Sequence, residues 1–167
     1  MQIQLSQKER MLLEDEKNQE EICVIKYQNY SQIAQDPELK QLFQTLSQEE
    51  QKHYDAVNQL LSGQQPTMAM GGQSGGSQMK QGNPSQAGQI NPTNPPSQIN
   101  AGSQTDKVLV SDLLSTEKYV SGVYDGAIFE SANPTVRQTL QHIQKEEQQH
   151  GHQLFQYMNS HGMYQVK

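Results

Sequence analysis

Residues 136–157 read VRQTLQHIQKEEQQHGHQLFQY, and their spacing decides the fold. At helical periodicity one face carries Val136, Leu140, Ile143, Glu147, His150, Leu154 and Tyr157. This is an apolar seam that steps by three and four residues, the mark of a helix packed along one side. Its two central positions are a carboxylate and an imidazole. A surface helix would turn both toward water, whereas this one buries them with the seam. An unpaired carboxylate in an apolar interior is costly, so such a site must protonate it, pair it or give it a cation.

The same pattern stands 97 residues upstream. Pro134 falls on Pro37, Gln138 on Gln41, Gln141 on Gln44 and Ile143 on Leu46. Glu146, Glu147, Gln148 and His150 fall on Glu49, Glu50, Gln51 and His53. The register continues toward the N-terminus without a gap, with Glu117 on Glu20 and Tyr124 on Tyr27. Each half therefore reads Glu, then Tyr, then Asp-Pro or Asn-Pro, then Glu-x-x-His, which describes an internal repeat.

Composition narrows the classes. A chain of 167 residues is long enough for one domain with a real core. A net charge of -6 and the absence of any Lys/Arg cluster argue against nucleic acid or an anionic membrane as partner. One cysteine, Cys23, is too few for an intrachain disulfide or a multi-thiolate metal site. The start of the chain has no apolar run resembling a signal peptide, and no segment approaches a membrane span.

In chain order, Ser6 and Glu9 form a capping box that opens the first helix. Its inward face carries Leu13, Glu20, Val24, Tyr27, Ser31 and Ala34, with Glu16 the alternative acid one turn earlier. Asp36-Pro37 ends that helix and starts the next, because the residue before Pro leaves the helical region, Asp caps well and Pro suits the first helical position. Leu39, Phe43, Leu46, Glu50, His53, Val57 and Leu60 line the second helix, which stops at Ser62-Gly63. The expected organisation is an N-terminal hairpin over 1–62, a Gly-, Gln-, Pro- and Ser-rich flexible linker over 63–104, and a C-terminal hairpin over 105–167. The third helix is expected to begin at Thr105 or Asp106, with Val110, Leu113, Glu117, Val120, Tyr124, Ile128 and Ser131 inward. Asn133-Pro134 repeats the turn, and the last helix ends at His161-Gly162.

Two hairpins that each hide a polar layer midway along an apolar face pack so that the layers meet. The expectation is an all-α bundle of four helices with a long crossover, forming one domain. One Glu from each of two helices and Glu-x-x-His from each of the other two is the ligand set of dinuclear carboxylate bundles. Glu20, Glu50, His53, Glu117, Glu147 and His150 are thus the candidate ligands of two Fe or Mn ions, with Glu50 and Glu147 bridging and Glu20 and Glu117 terminal. Tyr27 and Tyr124 are candidate hydrogen-bond donors to those carboxylates, or equally core residues with satisfied hydroxyls. Glu49, Glu146, His142, His152 and His161 are expected to face solvent. The plainer alternative is a metal-free network in which protonated Glu and neutral His satisfy one another.

The stretch LLSTEKYVSGVYDGAIFESANPTVRQTLQHIQKEEQQHGHQLFQYMNSHGMY closely resembles the coat F family of spore coat proteins. The resemblance covers Val108 to Tyr164 and includes Glu117, Asn133-Pro134, Glu147 and His150. It implies a ferritin-like fold, a place in the spore coat laid down from the mother-cell cytoplasm, and other coat proteins as partners; a homodimer is compatible with it. It implies no particular reaction. The N-terminal half is similar to the broader ferritin-like pattern of rubrerythrins and manganese catalases. The chain lacks the four-cysteine domain of the former and is shorter than the latter. Two functions follow: a structural coat component on a ferritin-like bundle with a dinuclear metal site, or a di-iron or di-manganese oxidoreductase acting on peroxide or dioxygen.

Overall fold

A computed structural model describes residues 2–66 and 101–166. Among these the chain is all helical: α1 (Gln7–Ile33), α2 (Pro37–Leu61), α3 (Ala101–Glu130) and α4 (Pro134–Ser160). The caps are those the sequence specifies. Ser6 accepts from the Glu9 backbone N–H at 3.1 Å while the Glu9 side chain accepts from the Ser6 N–H at 2.8 Å, the reciprocal pair of a capping box. Asp36 and Asn133 adopt nearly the same extended backbone, φ -72° with ψ 125° and 122°, and each side chain accepts from the N–H two residues on. Gly63 and Gly162 take positive φ (74° and 68°) just beyond α2 and α4, which a residue with a Cβ adopts only under strain.

The two hairpins pack antiparallel, α1 against α3 and α2 against α4. Tyr27 meets Glu117 while Tyr124 meets Glu20, so α1 and α3 run in opposite directions. His53 meets Glu147 while His150 meets Glu50, so α2 and α4 do the same. It follows that α2 and α3 are parallel. The end of α2 lies beside the start of α1, where the Ile3 N–H donates to the Gly63 carbonyl at 2.8 Å. The start of α3 lies at the opposite end, where Asp106 receives the backbone N–H groups of Gln35 and Asp36 at 2.7 and 2.9 Å.

That last contact moves one boundary. The helix begins at Ala101, so residues 101–104 belong to α3 and not to the linker. Asp106 does not serve as an N-cap because its carboxylate is turned across to the α1–α2 turn, where it is 3% exposed. The rest of the expected linker falls mostly on residues 67–100, outside the described residues.

Every residue expected on the four inward stripes is buried. The apolar interior divides into two clusters. One contains Leu13, Val57, Leu60, Val120, Leu140 and Ile143. The other contains Leu39, Phe43, Leu46, Val110, Leu113 and Leu154. Between them lies the polar layer. Fully burying an aliphatic side chain contributes about 1.5–3 kcal/mol, so the two clusters supply the driving force that holds acids between them.

Candidate metal centre

The layer is built by periodicity. Glu50 and His53 on α2, like Glu147 and His150 on α4, are separated by three residues and so project from one face. Glu20 and Glu117 face them from α1 and α3. All six side chains lie between 0% and 3% exposed. His53 Nδ1 stands 2.7 Å from Glu147 Oε1 and His150 Nδ1 stands 2.8 Å from Glu50 Oε1. The imidazoles stack with centroids 5.3 Å apart. Glu20 Oε2 is 3.7 Å from His53 Nδ1, and Glu117 Oε2 is 3.9 Å from His150 Nδ1. Tyr27 donates to Glu117 and Tyr124 to Glu20, each across from one hairpin to the other. Adding 97 to a residue of the first hairpin, and subtracting 97 from one of the second, turns each of these contacts into its counterpart.

The electrostatics are those of a site short of positive charge. Burial raises the carboxyls of Glu20, Glu50, Glu117 and Glu147 above the ordinary range, and a neighbouring acid adds to it: Glu50 on Glu20 and Glu147, Glu117 on Glu50, and Glu147 on Glu117. Burial also lowers His150. For His53 burial acts the same way, but its contacts with Glu146, Glu147 and Glu50 outweigh it and favour the charged ring. One imidazolium does not balance four acids.

Nor do hydrogen bonds. Oε2 of Glu20, Glu50 and Glu117 and both oxygens of Glu147 are buried without a hydrogen-bond partner in the protein. Ligand atoms of Glu50, His53, Glu147 and His150 lie within 4.8 Å of one another, close enough to share a cation. The donor set fits divalent metal: hard carboxylate oxygens with two imidazole nitrogens, in which four negative charges match two M²⁺ ions.

Glu146 departs from expectation. Far from facing solvent freely, its Oε2 lies 3.0 Å from His53 Nε2, on the ring edge opposite the carboxylate layer. This contact, together with burial that opposes it, leaves Glu146 below the ordinary range. A carboxylate that receives one ring N–H fixes the tautomer and directs the other nitrogen inward. Its counterpart Glu49 is drawn instead to Lys52 at 2.7 Å. The signal was present: Glu49 has a lysine three residues on, while Glu146 has Gln149. His142, also expected outside, is half-buried with Nε2 3.5 Å from Glu146. His161 is exposed as expected, and it stacks on Tyr157 with centroids 4.1 Å apart while its ring nitrogen meets the Tyr157 carbonyl. His152 is exposed as expected.

A second pair of acids escaped the sequence reading. Glu9 receives the Asn133 N–H at 2.7 Å and so clamps the α3–α4 turn, as Asp106 clamps the α1–α2 turn. Glu9 and Asp106 are also 97 residues apart. Their local duties, capping box and helix start, hid the long-range one.

Residues 105–167, from the first turns of α3 through α4, match the family model described as the Coat F domain. The C-terminal hairpin of the chain is a Coat F domain, the domain of a family of spore coat proteins. Its place is therefore the spore coat. The match spans the hairpin that carries Glu117, Glu147 and His150. No curated protein and no solved structure matches the chain. Among the described residues no helix is long and apolar enough to cross a membrane.

Proposed function

We propose that this coat protein is built on a ferritin-like bundle that holds two divalent ions, Fe or Mn, between its hairpins. The observation that carries the reading is the convergence of four buried glutamates, five of whose oxygens have no hydrogen-bond partner in the protein. The ferritin-like assignment is supported by parallel α2 and α3 with a crossover between them, and by the distribution of Glu and Glu-x-x-His over the four helices. Glu20, Glu50, His53, Glu117, Glu147 and His150 would hold the ions, with Glu50 and Glu147 shared. Tyr27, Tyr124 and Glu146 orient three of these ligands through their hydrogen bonds. Neighbouring coat proteins are its partners.

Elemental analysis of the protein purified from iron- and manganese-supplemented cells tests the site. The expected result is about two ions per chain, as the charge balance of the ligand set requires, with loss of metal in Glu147→Ala and His53→Ala. Metal-free wild-type protein from both cultures would defeat the proposal and favour the self-satisfied acid network.

A second reading, an oxidoreductase acting on peroxide or dioxygen, rests on the same ligand set. When bound, a carboxylate-bridged Fe or Mn pair supplies redox chemistry; the chain's own part is to hold the ligands rigid and exclude bulk water. Catalase or ferroxidase turnover abolished in Glu147→Ala supports it. A metal-loaded protein without turnover leaves the structural role alone.

A further inference from the structure

A cleft of about 530 Å³ lies between α3 and α4 and is lined by Leu114, Lys118, Ser121 and Gln148, with Glu117 and Glu147 also among its walls. It thus runs from the surface to the side chains of Glu117 and Glu147, whose unpartnered oxygens lie buried just behind its floor. Gly151, in the body of α4, forms part of the wall. Glycine inside a helix is destabilising by about 1 kcal/mol relative to alanine, so its presence calls for a reason. Backbone conformation is not one, since Gly151 is not among the positive-φ glycines. Close packing is not one either. A Cβ there would stand 3.6 Å from Glu117 Cβ and 3.8 Å from Leu114 Cδ1, ordinary contact distances. What the glycine leaves is space.

The other hairpin fills that space. The residue 97 positions before Gly151 is Tyr54, and the residue 97 before Leu114 is Lys17. Lys17 Nζ lies 5.4 Å from the centroid of the Tyr54 ring, a cation–π contact across α1 and α2. The polar hollow that Tyr54 and Lys17 line includes Arg10, Glu14 and Asn58 but none of the six candidate ligands. The two faces of one duplicated pattern therefore differ where Gly151 and Leu114 stand against Tyr54 and Lys17, open on α3/α4 and stoppered on α1/α2.

We infer that the cleft beside Gly151 is the route by which a hydrated divalent cation reaches the buried carboxylates, and that Tyr54 closes the corresponding route on the opposite face. The inference rests on the metal-site reading above. At its outer end His152, Phe155 and Tyr164 line the mouth, with Phe155 and Tyr164 in edge-to-face contact at 5.3 Å. At its inner end stand Glu117 and Glu147, whose oxygen donors suit a hard cation.

Co²⁺ uptake by the full-length, metal-stripped protein, followed by visible absorption in a stopped-flow instrument, tests the route. Gly151→Leu should lose the fast uptake phase while reaching the wild-type final absorbance. Tyr54→Gly alone should speed uptake, and Gly151→Leu/Tyr54→Gly should regain the fast phase through the other face. Wild-type rates in Gly151→Leu, or no acceleration in Tyr54→Gly, would overturn the route while leaving the metal site standing. Absence of Co²⁺ binding in the wild type would overturn both. Circular dichroism of each variant confirms that the bundle is intact.

Discussion

Glu16 is a buried acid with no counterpart, and replacing it should change how stability responds to pH. It is 1% exposed, its Oε2 has no hydrogen-bond partner, and the residue 97 positions later is Leu113. Burial, then the charges of Glu20 and Asp15, push its carboxyl from 4.5 to about 8. The folded protein thus keeps a proton that the unfolded chain releases at about pH 4.5. Between these values stability falls as pH rises, by about 1.4 kcal/mol per unit. A rise of 3.5 units (8 less 4.5) corresponds to about 5 kcal/mol as a ceiling, which local hydration of α1 would reduce. Glu16→Gln removes the titration and should gain on the wild type steadily from pH 5 to pH 8. Glu16→Leu copies the other hairpin and should do the same. The assay is urea unfolding of metal-stripped protein followed by circular dichroism at pH 5, 6.5 and 8 (chosen to span roughly the window between the two states' values). The buried acids not coupled to Glu16 are common to both proteins and cancel in the difference, while Glu20, which Glu16 faces, titrates more easily once Glu16 is gone and adds to the gain. Parallel stability profiles for wild type and Glu16→Gln would refute the reasoning.

Three further outcomes are expected. Glu9→Ala and Asp106→Ala should each lower stability by about 1–3 kcal/mol, because Asp106 receives the Gln35 and Asp36 N–H groups of one hairpin turn and Glu9 the Asn133 N–H of the other together with the Ser6 N–H of the α1 cap; urea unfolding measures it. For Glu9, burial would raise the carboxyl, but the N–H groups of Asn133 and Ser6 hold it below its ordinary value, so its contribution is present above pH 4.5 and disappears as pH falls below that. Loading the centre with Mn²⁺ should release protons and weaken with acidification, since the four glutamates and His53 are all shifted toward their protonated forms; calorimetry in buffers of different ionisation enthalpy detects the release. Shortening the segment between α2 and α3 should be tolerated down to roughly 12 residues, the extended length needed to travel the ~38 Å of a 25-residue helix; below that, thermal unfolding should show loss of the monomeric bundle.

Much of this was legible because periodicity and cap chemistry act locally. The stripes on all four helices, the Asp36-Pro37 and Asn133-Pro134 turns and the convergence of six acid and imidazole side chains follow from residue spacing alone. Glu146 was misread because its partner, His53, lies 93 residues away on another helix, and no local pattern reports a contact of that range. Glu9 and Asp106 each perform two roles, of which sequence displays the nearer. The start of α3 lies at Ala101 and not at Thr105 or Asp106, and Asp106 is spent on a distant turn. Glu16 was noticed only as an alternative to Glu20; its isolation became visible once burial and partners were known.

The crossed tyrosine contacts carry a consequence for hairpins of this kind in isolation. Tyr27 serves an acid of the C-terminal hairpin and Tyr124 an acid of the N-terminal one, so neither arm satisfies its own carboxylate. The Coat F segment by itself owns half of the acid and imidazole cluster and a hydroxyl with nowhere to donate. A polypeptide consisting of that arm alone would be completed by docking with a twin, around a dyad that this longer chain carries covalently within itself.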